Sequence, residues 1–313
     1  RNLPGVNWGR RDGGPSFLTT GGPGMEQILA NGLYLGAQYA LIALGLTLIF
    51  SLMNVLNFAH GQMYVFGGFV TYTVVAQLGL PFIVGLIASA VVLAVMGALI
   101  EKFLFRPVIR KSKRDESTML LAAGIAFFLD AVILLLFGEK QRGVPKVVDG
   151  VFNWDMRLIM PYDRILIAAL AVALIVGFIL FMQYSRTGRA MRALAQDRVA
   201  AQLMGVDVDR YSMIGFALGA MLAGLVGGLL VTITGINLGM GGPTSIKAFL
   251  MIMIGGAGVI SGAIAGGFIL GMMESVGLTL LAAYGDVTYL MIFITLMIFL
   301  AIRPQGLMGK PWG

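Results

Sequence analysis

The sequence contains no cysteine and only one histidine among its 313 residues. The absence of cysteine excludes disulfides, thiolate metal sites and cysteine nucleophiles, and His60 alone does not supply the several ligands that a metal ion needs. The sequence also lacks a Walker A motif, and few of its carboxylates fall within apolar stretches. We therefore predict no catalytic site, no metal site and no cofactor bound by this chain.

Charged residues are scarce as well, at 12% of the chain against 58% hydrophobic residues. A soluble domain carries about twice that charged fraction. Residues 27–100 include no Asp, Glu, Lys or Arg, and a helix needs about 20 apolar residues to cross a bilayer core. This run alone therefore holds about three crossings. Because the apolar residues occur in blocks rather than in alternation, the crossings are predicted to be helices.

These patterns predict an all-α integral membrane protein, a polytopic helical bundle of eight or nine membrane segments. The segments are placed near 33–52, 57–77, 81–101, 117–138, 164–183, 211–235, 245–260, 261–283 and 286–302. Two of them, 57–77 and 245–260, are candidates for broken or re-entrant helices. Residues 1–24 hold seven glycines and three prolines and are predicted to be a disordered tail, with Met25 as the expected natural start. Residues 25–313 then form a single transmembrane domain.

The cations concentrate in the loops between the predicted segments. Loop 102–116 holds six Lys or Arg residues and loop 184–210 holds five, whereas loop 139–163 has four cations and four anions. One predicted segment separates each basic loop from the balanced loop, so both basic loops lie on the cytoplasmic side. The N-terminus is then outside and the C-terminus, with Arg303 and Lys310, is cytoplasmic. The net charge of +7 thus reflects topology and does not indicate nucleic-acid binding.

Polar side chains interrupt an apolar segment around the stretch NFAHGQMY, residues 57–64. Polar groups in lipid are costly unless they find partners or line water. In the preferred interpretation they bond to backbone carbonyls freed at a helix interruption and to neighbouring helices; the alternative is direct contact with a translocated substrate. The residues concerned are Ser51, Asn54, Asn57, His60, Gly61 and Gln62.

Three ionisable residues fall within or at the edge of predicted segments: Asp130, Lys247 and Glu274. Each is a functional candidate because charge in lipid is expensive. Lys247 follows the turn-forming sequence GMGGP and can alternatively reach the membrane interface. An ion pair between Lys247 and Glu274 would neutralise both, and we hypothesise that pair. A proton relay would need a longer chain of such groups than the sequence offers.

Small residues recur at helical spacing in several segments, as at Gly258/Gly262, Gly262/Gly266 and Gly267/Gly271. Helices in lipid associate through close backbone approach at such positions. The pattern as a whole predicts a tightly packed bundle with a mobile interface, whereas any single pair is more typical of ordinary membrane packing.

The basic loop 184–210 has amphipathic character. Met191, Leu194, Ala195, Val199 and Leu203 fall on one half of a helical wheel. Asp197 is predicted to cap a second short helix, and Gly205 to end it. Such a segment lies on the membrane surface or docks in a partner's groove, and its composition does not separate the two.

Three ordered stretches of the chain resemble the permease subunits, of the H type, of branched-chain amino acid ABC importers. The N-terminal signature of that family is similar to NGLYLGAQYALIALGLTLIFSLMNVLNFAHGQMYVFGG, which starts at Asn31. A second signature is similar to KAFLMIMIGGAGVISGAIAGGFILGMMES, residues 247–275, and a closing Pro-x-Gly-x-x-Gly is similar to PQGLMG within RPQGLMG. The resemblance runs from about residue 25 to the end. Val259 departs from it, since the family commonly has a small polar residue there.

The resemblance also implies a role for the basic loop. Import permeases of this type carry a cytoplasmic Glu-Ala-Ala-x-x-x-Gly coupling loop, and V-A-A-Q-L-M-G at 199–205 matches it with Val in place of the acid. By resemblance this segment docks on an ATPase subunit. The residues expected to take part in coupling are Arg189, Arg192, Asp197, Ala200, Ala201 and Gly205.

The function implied is translocation of branched-chain or related amino acids across the bacterial plasma (inner) membrane. The implied partners are a second homologous permease, two cytoplasmic ATP-binding subunits that hold ATP and magnesium, an extracytoplasmic (periplasmic) substrate-binding protein and membrane lipid. The expected translocation-path or helix-break residues are Asn54, Asn57, His60, Gly61, Gln62, Lys247 and Glu274. Two alternatives stay open: a permease for urea or short amides, and an ion-coupled secondary transporter.

Overall fold

The computed structural model describes residues 25–112, 115–154, 158–280 and 285–309. The predicted tail, 1–24, and Lys310 lie outside the described residues. Within the described part the chain is a helical bundle with one small hairpin. Its helices are α1 (Met25–Met53), α2 (His60–Tyr72), α3 (Phe82–Ile100), α4 (Arg106–Lys111), α5 (Asp115–Phe137), α6 (Tyr162–Tyr184), α7 (Arg186–Gln196), α8 (Arg198–Leu203), α9 (Val208–Leu230), α10 (Gly241–Gly255), α11 (Ile260–Leu280) and α12 (Gly285–Ile302).

Among the described residues, seven stretches are long and apolar enough to cross a membrane, judged by length and composition. They are Met25–Met53, Phe82–Lys111, Glu116–Phe137, Tyr162–Tyr184, Val208–Leu230, Leu238–Gly255 and Ile260–Thr279. The remaining two predicted segments correspond to α2, which has 13 residues, and to α12. The helical, multi-pass membrane architecture expected from the sequence is therefore confirmed.

The bundle is built around α1 and α9, which are buried along most of their length. Glycines let neighbouring backbones touch: a Cβ added at Gly267 would overlap the backbone of Ala40, and one at Gly271 the backbone of Gly36. Such close approach supplies the dispersion contacts that hold helices together where no hydrophobic force acts between them. The predicted pairing of small residues along α11 is thus used against α1.

The outer helices are apolar on all sides, as lipid-facing helices should be. In α6 the buried residues recur every three or four positions, from Ile167 through Ala171 and Ile175 to Phe178. The opposite face exposes apolar side chains, for example Val176. A soluble helix would carry charges there, so the exposed face of α6 is suited to contact lipid.

The two basic loops meet at one end of the bundle, as the charge pattern predicts. The guanidinium of Arg106 donates to the backbone carbonyl of Asp209 at 3.0 Å, and Arg110 forms an ion pair with the Asp209 carboxylate. At the opposite end the backbone N–H of Ile159 donates to the side chain of Gln27, at the start of α1, at 2.9 Å. The balanced loop and the start of α1 therefore share the other end.

Two predicted loops contain regular structure. The prediction of a loop at 102–116 is wrong for most of that range. The helix continues from α3 through a π-helical turn at Glu101–Phe105 and then through α4 to Lys111. Arg106 stabilises this continuation. Its guanidinium lies 2.7 Å from the buried carboxylate of Glu101, so the two opposite charges neutralise each other. Loop 139–163 contains an antiparallel hairpin of β1 (Val151–Trp154) and β2 (Leu158–Pro161), an addition to the all-α prediction.

The segments singled out as broken or re-entrant contain α2, which continues through a π-helical turn at Thr73–Gln77, and α10. The chain leaves α1 at Asn54, which has a positive φ of 53°, and α2 begins only at His60, whose ring lies against Ile42 midway along α1. Helix α10 begins at the first turn of α2, where a Cβ on Gly61 would overlap the Gly241 carbonyl. Both helices therefore start inside the bundle. The predicted segment 211–235 extends too far at its C-terminal end, since α9 ends at Leu230.

Candidate functional site

A cavity of about 850 Å³ lies at the end of the bundle that carries the hairpin. Its walls come from the first half of α1, the end of α9, the start of α10 and the last turns of α11, with Tyr64 of α2 and Arg164 of α6. The cavity thus sits where the non-helical segment between α9 and α10 enters the bundle.

The residues that line the cavity are of two chemical kinds. One part is apolar and includes Leu35, Ile42, Leu230, Ile233 and Leu278. The other part is polar or charged and includes Tyr34, Gln38, Tyr39, Arg164, Lys247 and Glu274. A cavity of this kind suits a small molecule that is itself partly apolar and partly charged.

An ion pair with a third polar partner forms one side of the cavity. The Lys247 ammonium donates to the two Glu274 carboxylate oxygens at 2.8 and 3.0 Å. The Tyr39 hydroxyl donates to Glu274 at 2.5 Å and accepts from Lys247 at 2.7 Å. The hypothesised Lys247–Glu274 pair is confirmed as a contact, and it joins α10, α11 and α1. Tyr39 was not predicted, because a tyrosine in an apolar run reads as an ordinary core residue.

Two further polar groups on the same face of α1 are buried against the cavity. Neither the Tyr34 hydroxyl nor the Gln38 amide nitrogen has a hydrogen-bond partner within the described residues. The two residues are four positions apart, so they lie one turn above each other on the helix. The sequence signal for them was available, since polar residues in an apolar helix are candidates by the same rule that singled out His60.

The polar cluster around His60 lies elsewhere. None of Asn54, Asn57, His60, Gly61 and Gln62 is among the described residues that line the cavity. His60 is fully buried and its Nε2 bonds to the Ile42 carbonyl at 3.2 Å. Since Ile42 is inside α1, this bond joins His60 to a neighbouring helix, which is one of the two kinds of partner in the preferred interpretation. Gln62 bonds instead to a side chain on another helix, the Asp130 carboxylate, at 3.2 Å.

The interruption before α2 is satisfied by two other side chains. The Asn57 carboxamide oxygen accepts from the backbone N–H of Ala59 at 3.1 Å, as an N-terminal cap does. Ser245, on α10, accepts from the N–H of Gly61 and donates to the carbonyl of Phe58, both at 2.9 Å. The predicted backbone satisfaction is therefore correct for Asn57, whereas Ser245 was missed because its partners are 184 and 187 residues away.

The basic loop folds into two short helices at the opposite end from the cavity. Ser185 caps α7, with its hydroxyl 2.8 Å from the Gly188 nitrogen, and Asp197 caps α8, with its carboxylate 2.8 Å from the Val199 nitrogen. Gly205, with a φ of 84°, follows the end of α8. The predicted cap and stop are confirmed. Arg189 and Arg192 donate to the last carbonyls of α6, those of Tyr184 and Gln183.

The five apolar residues placed on one half of a helical wheel do not share a buried face, because the chain bends at Asp197, where the second helix begins. Before the bend, Met191 and Leu194 are buried against the bundle. After it, only Ala201 of α8 is buried, and Leu203 and Met204 are 83% and 84% exposed. The second helix therefore presents an uncovered apolar surface at this end of the molecule.

The described residues contain no group of three or more His, Asp or Glu side chains placed to hold a metal ion. The arrangement thus consists of a lined cavity at one end of the bundle and a capped, exposed helix at the other.

A family model and several relatives match most of the chain. Residues 28–301 match the family model described as the permease component of branched-chain amino acid transport systems. The chain is 34% identical over 301 residues to the high-affinity branched-chain amino acid transport permease LivH of Escherichia coli, a match that covers 91% of this chain and 96% of that protein. It is 33% identical to BraD of Pseudomonas aeruginosa, with the same coverage. It is 30% identical to a probable LivH of Methanocaldococcus jannaschii, covering 92% and 94%.

Among solved structures, PsaBC from Streptococcus pneumoniae in complex with Fab matches with a TM-score of 0.49 and 16% identity. That match covers 89% of this chain and 92% of the other.

Proposed function

Since the chain belongs to the family of permease components of branched-chain amino acid transport systems, we propose that it imports branched-chain amino acids. In this proposal it forms one half of the membrane pore of an ABC importer and is not itself an enzyme. The observation that carries the proposal is the pairing of a partly charged, partly apolar cavity at one end with an exposed apolar helix at the other. The cavity suits an amino acid, and the exposed helix suits the docking of an ATP-binding subunit.

The proposed orientation follows from charge. The two basic segments share one end of the bundle, where Arg106 contacts Asp209, and cations favour the cytoplasmic side. The cavity then opens toward the outside, which for a bacterial inner membrane is the side of the substrate-binding protein. The N-terminus is placed outside and the C-terminus in the cytoplasm.

The proposed partners are a second homologous permease, two cytoplasmic ATP-binding subunits and an extracytoplasmic binding protein, all within membrane lipid. ATP and magnesium would bind to the ATP-binding subunits. Segment 184–210 is the proposed coupling segment, because α8 exposes Val199 and Leu203, and the residue after it exposes Met204, on the cytoplasmic end. A partner's groove would cover these side chains, and it would leave the buried side of α8 in contact with the bundle.

The comparisons also bear on the alternatives. The relatives that are at least 30% identical to this chain are named for branched-chain amino acid transport, which favours that substrate class over urea or short amides. Membership of a permease-component family likewise favours an ATP-driven importer over an ion-coupled secondary transporter.

The proposal is tested by reconstituting the chain with its partner subunits in proteoliposomes. We expect [³H]leucine delivered by the binding protein to accumulate only when ATP is present on the side of the ATP-binding subunits. Accumulation without ATP, or driven by an imposed ion gradient, would contradict the proposal. Competition by urea but not by isoleucine or valine would support the alternative substrate.

The coupling segment is tested by Leu203→Ser, with Ile302→Ser as the matched control. Both side chains are apolar and similarly exposed, 83% and 79%, but only Leu203 lies on α8. We expect Leu203→Ser to lower leucine uptake while ATP hydrolysis continues, and Ile302→Ser to leave both unchanged. Equal effects of the two variants would remove α8 from the coupling interface.

A further inference from the structure

We propose that the Lys247–Glu274 ion pair opens to hold the amino acid itself, with Lys247 on the α-carboxylate and Glu274 on the α-ammonium. The inference rests on the proposed function, because it takes the passing solute to be a zwitterionic amino acid. Nothing in the comparisons assigns a substrate contact to either residue. The cavity would therefore hold a transient binding site within the path.

The first support is chemical complementarity. A free amino acid carries one cation and one anion on the same carbon, and Lys247 and Glu274 present the two opposite charges side by side, 2.8 Å apart. When the substrate enters, one ion pair within the protein is exchanged for two ion pairs with the substrate. No charge is left uncompensated at any stage, which matters because an unpaired charge in the membrane is costly.

The second support is that the pair lies in the wall of the cavity. The Lys247 side chain is 25% exposed and the Glu274 side chain is 6% exposed, and both line the cavity. A tie between helices would not need charge, since replacing a buried ion pair by apolar residues is often neutral or stabilising. Because the pair lies on the cavity surface, a molecule in the cavity can reach both side chains and take the place of either partner.

The Tyr39 hydroxyl supports the exchange from α1. It bonds to both partners, at 2.5 Å to Glu274 and 2.7 Å to Lys247. A hydroxyl can donate or accept, so it can remain bonded to either side chain as the two separate. It would then keep each charge hydrogen-bonded while the substrate replaces the other partner.

A third, independent observation is the pair of unsatisfied polar groups beside the ion pair. Gln38 is 1% exposed and Tyr34 is 6% exposed. Neither the amide nitrogen of Gln38 nor the hydroxyl of Tyr34 has a hydrogen-bond partner in the described part of the chain. Buried donors without partners are rare and costly. Both residues line the cavity, and an amide N–H or a hydroxyl is a suitable donor to a carboxylate.

The apolar part of the cavity completes the site. Leu35 and Ile42 of α1 and Ile233 after α9 lie along the same cavity as the ion pair. An aliphatic branched side chain would bury its surface there, while a polar side chain would lose its hydrogen bonds to water. The site thus combines recognition of the shared zwitterion with preference for an apolar side chain.

The test uses the complete transporter in proteoliposomes, with saturating leucine-loaded binding protein. The variant is Lys247→Met together with Glu274→Gln, which removes both charges and keeps side chains of similar size. The matched control is Lys146→Met together with Asp149→Asn, which removes one charge of each sign from the loop between α5 and β1. The readouts are assembly by size-exclusion chromatography, ATP hydrolysis, and leucine transported per ATP.

We expect the double variant to assemble and to hydrolyse ATP when loaded binding protein is added, but to transport about tenfold less leucine per ATP, since each lost charge-assisted contact alone accounts for a change of that order. The control should keep the wild-type ratio. A double variant that transports leucine at the wild-type ratio would overturn the inference and leave the proposed function intact. Failure of the wild-type complex to transport leucine would instead overturn the proposed function.

Two further variants cover the case in which the double variant does not assemble. Exchange of the charges, Lys247→Glu with Glu274→Lys, restores an ion pair for any structural purpose, yet it reverses the sites for the two substrate groups. We expect it to assemble and still to transport poorly; full recovery would overturn the inference. Gln38→Leu removes the amide nitrogen that has no hydrogen-bond partner among the described residues and keeps a side chain of similar size, and we expect normal assembly with reduced transport. Unchanged transport would contradict the inference.

Discussion

Ser245 makes a bridge whose removal has a calculable cost. Its hydroxyl accepts from the N–H of Gly61 and donates to the carbonyl of Phe58, both at 2.9 Å. One side chain on α10 thus satisfies two backbone groups at the interruption before α2, where no helix partner is available to them. Ser245→Ala leaves both groups buried and unsatisfied.

The magnitude follows from those two groups. Leaving a buried backbone donor or acceptor unsatisfied costs about 1–3 kcal/mol. Rearrangement within the membrane recovers part of this, because hydrogen bonds between helices in bilayers average about 0.6 kcal/mol in double-mutant cycles. We therefore expect Ser245→Ala to lower the free energy of unfolding by about 2 kcal/mol.

The matched control is Ser51→Ala, which makes the same chemical change at another helix. The Ser51 hydroxyl donates to the carbonyl of Leu48 within α1 at 3.0 Å, and that carbonyl keeps its helical partner when the hydroxyl is removed. We expect a loss below about 0.5 kcal/mol. Unfolding of the purified chain by SDS in mixed micelles measures both values. A Ser245→Ala variant as stable as the control would refute the view that side chains from α10 satisfy the interrupted backbone.

Two other substitutions test packing and coupling. Gly255→Ala should prevent assembly, because a Cβ there overlaps the Gly262 carbonyl. The control Gly177→Ala should be tolerated, because nothing lies within 4 Å of its Cβ position. The amount of assembled complex recovered from membranes measures both effects. Asp197→Ala should lower leucine transported per ATP, because the lost cap costs about 1 kcal/mol in a helix of six residues. Asp197→Asn keeps a capping oxygen and should transport normally, and a variant Asp197→Ala with the wild-type ratio would contradict this assignment.

The membrane segments could be predicted from the sequence because their signal is length of apolar chain, which is local. The same rule failed at residues 102–111, where charges in the sequence suggested a loop. There the Glu101 carboxylate is buried against the Arg106 guanidinium, and the pair is compatible with a continuous helix. A rule that counts charges along the chain does not detect that two of them neutralise each other across a π-helical turn.

The candidate site was predictable only where its residues stand out against lipid. Lys247 and Glu274 could be paired from sequence because opposite charges in apolar segments must find each other. Tyr39, which bonds to both, was missed because tyrosine is common in apolar cores and its hydroxyl does not disturb the pattern. Ser245 was missed for the same reason, since a serine in a helix is ordinary until the tertiary contact is known.

The His60 cluster shows the opposite error, because a conspicuous motif lies outside the cavity. Its polar residues drew attention as path candidates, yet His60 bonds to Ile42 and Gln62 to Asp130. Both contacts join α2 to neighbouring helices. Their role in translocation stays a prediction, and the geometry supports a role in fixing the start of α2.

Under the proposed function, α9 is the element that connects the coupling segment to the cavity. Four residues separate the end of α8 from the start of α9, and the first turn of α9 holds Asp209, which pairs with Arg110. Its last residue, Leu230, lines the cavity. Between these ends, a Cβ on Gly219 or Gly227 would overlap the backbone of a neighbouring helix, so α9 has little room to bend locally.

A helix packed so closely transmits displacement as a unit, because well-packed interfaces move between discrete arrangements rather than deform continuously. A shift of α8 toward a closing ATPase would therefore move Leu230 relative to α10 and α11, which hold Lys247 and Glu274. The apolar wall formed by Leu230 and the charged wall formed by Lys247 and Glu274 thus belong to different helices. Separation of those walls would both release the substrate's side chain and allow the ion pair to close again, so one motion of α9 couples ATP use to release.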